Sequence, residues 1–178
     1  MAIALSAGTP IPNSDIVALL VFEHQMHMIN LLTRIGWDAR MLLSAPRPDA
    51  PAILARAADE LVDCLLLADE TPLPAAVTGT SGFADQFSAQ GPKDSRGRSL
   101  RQLDLKTRLL RYPCSYMIYS DAFDALPPQA RDAIYQRMWI VLSGKDTSPK
   151  YARLSAAGRR AIVEILRDTK KDLPAYFR

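Results

Sequence analysis

The sequence predicts an all-α protein, an irregular bundle of about six helices with one long ordered loop, in a single domain over residues 1–178. Apolar residues recur three and four positions apart, and the alternation typical of strands is missing. Proline and glycine divide the chain into segments of helical length. Hydrophobic residues make up 48% of the chain and charged residues 23%, which excludes collagen and wholesale disorder.

The start of the chain predicts an extended arm over residues 1–13 and a first helix over residues 15–35. Ser14 or Asp15 can cap this helix, because their side chains accept hydrogen bonds from free N-terminal amides. Gly36 is expected to weaken or end it, since glycine disfavours the helix interior.

A second helix is predicted over residues 49–68, with an aspartate cap and a proline in its first turn. Residues 71–97 are rich in proline and glycine and predict the long loop. One turn of helix around Phe83 and Phe87 is expected, and these rings should pin the loop to the core. The remaining helices are predicted over residues 99–111, 114–126, 128–142 and 155–169.

The apolar run at residues 16–22 has seven residues, against about 20 for a membrane span, so no span is expected. Residues 1–10 contain no basic residue and do not resemble a signal peptide. The chain is therefore expected to be cytoplasmic if complete as written, and periplasmic if it is a segment of an exported precursor. Cys64 and Cys114 are too few for a disulfide scaffold and form no CxxC or CxxCH motif. The sequence leaves open whether the two cysteines form one disulfide or stay as two free thiols.

Both histidines of the chain and two of its six methionines lie within residues 23–28. Helical spacing places His24 beside His27 and Met28. Imidazole with thioether suits copper or haem iron, and imidazole with carboxylate suits zinc or iron. A further ligand would have to come from elsewhere, from Cys114, Met117 or Met138. The sequence therefore indicates a metal site at His24, His27, Met28 and Cys114, or a cofactor such as haem bound by His24, Met28, Tyr116 and Tyr119.

Two other interpretations of the cluster stay open. His24 could be a core histidine bonded to a backbone carbonyl or a tyrosine, with the methionines as packing, or it could be a catalytic base. Tyr112, Tyr116 and Tyr119 share one helical face and offer hydroxyls to His24 or to a cofactor, although core packing also explains them. We expect His24 to point inward and to contact Tyr116, Tyr119 or Cys114.

Residues 93–111 hold seven basic residues against two acidic ones, a local charge of +5. This segment predicts an anionic ligand or an acidic surface at Arg98, Arg101, Arg108 and Arg111. The alternative is a solvated face whose arginines pair with aspartates, and a partly buried pair would order the preceding loop. Nucleic acid is not expected, because few aromatic residues interleave with these charges.

Residues 22–40 (FEHQMHMINLLTRIGWDAR), 91–127 and 152–177 resemble the C-terminal part of a group of uncharacterised exported bacterial proteins, some in cytochrome-c-like contexts. The resemblance covers residues 14–177. It implies an exported origin and a redox or haem setting. The residues on the motifs of the group are Glu23, His24, Met28, Arg98, Asp104, Arg108, Pro113, Cys114, Tyr116 and Tyr119.

The resulting hypothesis is a helical metal- or haem-binding accessory domain linked to electron transfer, with a redox protein as partner. The alternative is a structural or protein-interaction module without a bound cofactor. An enzyme that uses His24 and Cys114 is the third hypothesis.

Overall fold

The computed structural model describes residues 15–45 and 47–177, and over these ranges the protein is all-α, as predicted. The predicted arm at residues 1–13 lies outside the described residues. The α-helices are α1 (Ile16–Ser44), α2 (Ala50–Leu65), α3 (Phe83–Ala89), α4 (Asp121–Asp124), α5 (Pro128–Leu142) and α6 (Ala156–Thr169). Short 3-10 turns occur at Tyr116–Tyr119, Pro149–Tyr151 and Ala175–Phe177.

Helix α1 continues through Gly36 to Ser44, so the predicted end of this helix is wrong. Gly36 is buried, and a Cβ atom there would lie 3.4 Å from the side chain of Leu126, which follows α4. Leu126 therefore packs in van der Waals contact with α1 at this position. Packing of the buried face of α1 overrides the low helix propensity of this one position.

The helix predicted over residues 99–111 is also wrong. The segment folds back on itself through an antiparallel bridge between Leu103 and Leu110. At the turn, the Asp104 carboxylate accepts hydrogen bonds from the amides of Lys106, at 2.9 Å, and Thr107, at 2.7 Å. An aspartate that bonds nearby amides in this way competes with the helix, and the apolar spacing of the segment does not reveal it.

The helix predicted over residues 114–126 is instead a 3-10 turn followed by α4. Two serines produce this division, because Ser115 accepts from the amide of Met117 and Ser120 accepts from the amide of Phe123. Helices α5 and α6 agree with the predictions, and Ser155 caps α6 through the amide of Gly158.

Helix α2 lies in the middle of the bundle, where it packs on α5 and α1, and α6 packs on α5. One continuous hydrophobic core joins them. Fully buried side chains at its centre include Met28, Leu32, Leu61, Leu65 and Tyr135. Both cysteines are free thiols.

The loop over residues 71–97 is ordered against this core, as predicted. The Phe83 and Phe87 rings stack with centroids 5.7 Å apart, and Phe87 meets Tyr116 edge to face at 5.0 Å. Asp15, the cap of α1, also accepts from the Ser81 amide at 3.0 Å. Phe87 and Asp15 thus anchor the loop at two separate points.

Helix α1 is long and apolar enough, by length and composition, to cross a membrane, and 28% of its most apolar window is buried inside the protein. Core helices and N-terminal signal sequences share these properties, so the expectation of no membrane span stays a prediction.

Candidate functional site

A cavity of about 820 Å³ lies between α1, the C-terminal end of α2 and residues 67–73. Its volume is in the range of small-molecule sites in proteins. One part of its wall is apolar and consists of Leu20, Leu31, Leu67, Leu73 and Leu109.

The other part of the wall is acidic, with the five carboxylates of Glu23, Glu60, Asp63, Asp69 and Glu70. Glu23 and Asp69 are exposed. Glu70 is half-buried and accepts from the amide of Leu109 at 2.8 Å, and burial raises the pKa of its carboxyl group.

Two of the carboxylates are tied to neighbouring side chains. Asp63 accepts from Lys150 at 2.7 Å and from the Tyr151 hydroxyl, and Glu60 pairs with Arg34. These partners fix the carboxylates in place and offset part of their charge.

Cys64, which also lines the cavity, is a half-buried thiol. Burial raises the pKa of its thiol to about 11, and the carboxylates of Glu60, Asp63 and Asp69 act in the same direction. The thiol therefore stays protonated at neutral pH.

His24 projects from α1 into this region and is half-buried. Its Nε2 atom lies 2.7 Å from the Oγ atom of Ser115. Ser115 is wholly buried and already accepts from the amide of Met117, so its own hydroxyl proton needs an acceptor. Among the described residues His24 Nε2 is that acceptor. Nδ1 then carries the proton of the neutral imidazole.

The charge state of His24 follows from its surroundings. Burial and, to a smaller extent, the neighbouring His27 together lower the pKa of His24 to about 4. At neutral pH the ring is therefore uncharged.

The contact between the His24 and Tyr116 rings, with centroids 5.9 Å apart, confirms the inward orientation that the sequence predicted. Ser115 was missed because its proximity to His24 depends on the tertiary fold.

The other predicted site residues are dispersed. His27 is exposed and lines the cavity with His24, whereas Met28 and Cys114 are fully buried and do not line it. Burial raises the pKa of the Cys114 thiol to about 12. The Tyr119 hydroxyl bonds to Thr169 on α6 at 2.6 Å. Within residues 15–45 and 47–177, no three His, Cys, Asp or Glu side chains are placed to hold one metal ion.

The arginines of the basic segment do not form one open patch. Arg98 bonds to Asp94 and to Glu164 of α6, each at 2.7 Å, and only 18% of its side chain is exposed. Arg101 lies over the rings of Phe87, at 4.7 Å, and Tyr116, at 4.9 Å. Arg98 and Arg101 both hold the loop over residues 71–97 to the body of the protein. The partly buried ion pair that orders the loop is therefore made by Arg98.

The last two arginines of this set are more open. Arg111 is exposed and lies 5.8 Å from the Tyr112 ring, and Arg108 is half-buried. An acidic partner at these positions stays a prediction.

The backbone of Leu67, in the cavity wall, adopts an unusual left-handed conformation. It has a φ angle of 50° at the end of α2, where Ala68 donates to the carbonyl of Asp63 and Leu67 donates to the carbonyl of Cys64. This pattern is a Schellman motif, which ordinarily places glycine at this position. A leucine in the left-handed region costs about 1–2 kcal/mol, and its side chain completes the apolar part of the cavity.

Comparisons with protein-family models, with curated proteins and with solved structures found no match for this chain. The resemblance to exported bacterial proteins therefore stays a prediction.

Proposed function

We propose that the protein is a binding domain whose cavity holds a small organic cation with an apolar part. The observation that carries the proposal is the division of the cavity wall into an apolar and an acidic part. An apolar surface favours a hydrocarbon or aromatic group. Of the five carboxylates, those of Glu60 and Asp63 are already paired with Arg34 and Lys150, and the others favour an amine or a guanidine over an anion.

Glu23 and Asp69 suit the cationic group, because both are exposed and line the cavity. His24 supports the proposal in another way. Its neutral ring does not repel a cation, and its position between Ser115 and the cavity holds the wall in a defined shape.

The probe pair tyramine and 4-hydroxyphenylacetate tests the proposal, because both carry the same phenol and differ in the sign of their charge. We expect tyramine to raise the melting temperature and to bind measurably in isothermal titration calorimetry, and 4-hydroxyphenylacetate to do neither. Exposed ion pairs contribute about 0.2–1 kcal/mol each, so the double variant Glu23→Gln with Asp69→Asn should bind tyramine about tenfold more weakly.

Asp172→Asn is the matched control, since Asp172 is exposed and does not line the cavity. It should bind tyramine as the parent protein does. Equal binding of the two probes, or equal binding by the double variant and the parent, would contradict the proposal.

A second candidate is the sequence-based one, a transition-metal or haem-binding domain linked to electron transfer. His24 and His27 support it, because the two imidazoles line the same cavity one helical turn apart. Haem is the less favoured form, since the acidic wall repels its propionates. Metal analysis of the purified protein and a search for a Soret band test this candidate. The predictions of a redox partner and of a periplasmic location depend on this second candidate function and stay predictions.

A further inference from the structure

The exposed face of α1 is the most apolar surface feature of the part of the chain that the structure describes. Among the described residues nine large hydrophobic side chains are exposed, and seven of them belong to α1. They are Ile16, Leu19, Phe22, Met26, Trp37, Met41 and Leu43.

Six of these side chains, all except Leu43, lie within a sector of about 120° when each residue turns the helix by 100°. We call this sector the α1 face. Phe22 is 60% exposed and Trp37 is 66% exposed, so its two aromatic rings lie largely in solvent. The opposite side of α1 carries core residues such as Met28 and Ile35. The core therefore covers one side of the helix and leaves the α1 face without a partner within the described chain.

The size of the α1 face suits a protein interface. At about 200 Å² for each large side chain, the six exposed fractions amount to roughly 600 Å² of apolar surface. A stable interface buries about 800 Å² on each partner. Polar residues at the edges of the face would supply the remainder.

We propose that the α1 face binds the α1 face of a second copy of this chain, so that two α1 helices pack antiparallel. The spacing of the apolar residues is self-complementary about one position. Along the sequence, Leu19 and Met41 are equidistant from Asn30. The point midway between Phe22 and Trp37 in the sequence also lies next to Asn30. A twofold axis near Asn30 therefore sets Leu19 against Met41 and Phe22 against Trp37 in both halves of the interface.

The charges on α1 favour a second copy over a lipid surface. The exposed charged residues along the helix are Glu23, Arg34, Asp38 and Arg40, whose charges cancel. Helices that bind anionic lipids carry an excess of lysine or arginine at the edges of the apolar face. The polar Asn30 and Thr33 lie in the middle of the α1 face. Polar groups there fit a protein interface, in which they can pair with each other across the axis.

Sedimentation velocity of the full chain between about 1 and 100 µM tests the proposal. We expect a species of twice the 19.7 kDa chain mass at the higher concentrations. Trp37→Glu should raise the dissociation constant of the dimer at least tenfold without changing the helical circular dichroism, because the ring is largely exposed in one copy. Tyr176→Glu is the control, since Tyr176 is also an exposed aromatic but lies outside α1. It should leave association unchanged.

A cysteine pair tests the antiparallel geometry. Under mild oxidation Asn30→Cys should form a disulfide-linked dimer, because the two copies of this position meet at the axis. Ser44→Cys should not, because antiparallel packing separates its two copies by most of the length of α1. Cross-linking of Ser44→Cys alone would overturn the antiparallel arrangement. A monomer at all concentrations would overturn the proposal, and so would a monomer that floats with phosphatidylcholine vesicles through Trp37.

Discussion

His24→Gln should remove most of the loss of stability between pH 7 and pH 5. The pKa of His24 is about 4 in the folded protein and 6.5 as a model value. Since the folded pKa is the lower one, the unfolded chain takes up the proton first as the pH falls. Stability is therefore lost as the pH falls below 6.5, and the loss is complete below about 4. For these two values the loss between pH 7 and pH 5 is about 2 kcal/mol.

The assay is urea unfolding at pH 7, 6 and 5, followed by circular dichroism at 222 nm. The parent should lose about 2 kcal/mol of unfolding free energy over this range, and the variant should lose much less. The comparison isolates His24, because Asp15 and Asp146 have pKa values of about 2 and affect stability only at lower pH. The raised pKa of Glu70 acts in the opposite direction in both proteins.

His27→Gln is the control for His24→Gln, because His27 is exposed and has no described hydrogen-bond partner that the substitution would remove. It should keep most of the pH dependence of the parent, because burial is the larger cause of the lowered His24 pKa and the neighbouring His27 the smaller one. If His24→Gln lost the same 2 kcal/mol of unfolding free energy as the parent, the inference that His24 is desolvated and uncharged in the folded protein would be refuted.

Three further substitutions test the anchors of the loop and the cavity wall. Gly79→Ala should lower the unfolding free energy by about 1 kcal/mol in urea titrations, because its Cβ atom would lie 2.8 Å from the carboxylate of Asp15; an unchanged midpoint would contradict this contact. Arg98→Lys should cost about 1–2 kcal/mol, since lysine cannot bridge two carboxylates, whereas Arg96→Lys, 68% exposed in the parent, should cost less than about 0.5 kcal/mol. Equal thermal shifts for the two would show that Arg98 does not anchor the loop. Leu67→Gly should change stability by less than about 1 kcal/mol, because relief of the left-handed backbone offsets lost packing, while calorimetry shows weaker tyramine binding; unaltered binding would remove Leu67 from the site.

Several elements were predictable because their signals are local. Ser155 before α6 and Asp15 before α1 accept hydrogen bonds from amides two or three residues away. The prolines before and at the start of α5 act through their own fixed backbone angle and missing N–H group. Phe83 and Phe87 are likewise one helical turn apart, so their joint role in pinning the loop could be inferred. The inward orientation of His24 followed from its place in the apolar sector of α1.

The sequence by itself determined the helical class, the caps of α1 and α6 and the single inward histidine, because periodicity and capping depend on neighbours along the chain. The predicted aspartate cap of α2 is wrong, since the Asp49 side chain makes no cap hydrogen bond there. Only the tertiary structure decided what those elements enclose. Ser115 lies 91 positions from His24, and Ser81 lies 66 positions from Asp15. Gly36 continues its helix because another segment packs against it, and the cavity exists because distant segments place carboxylates and leucines around one space. Contacts at such separations are set by how the helices pack, and no local pattern of residues records that packing.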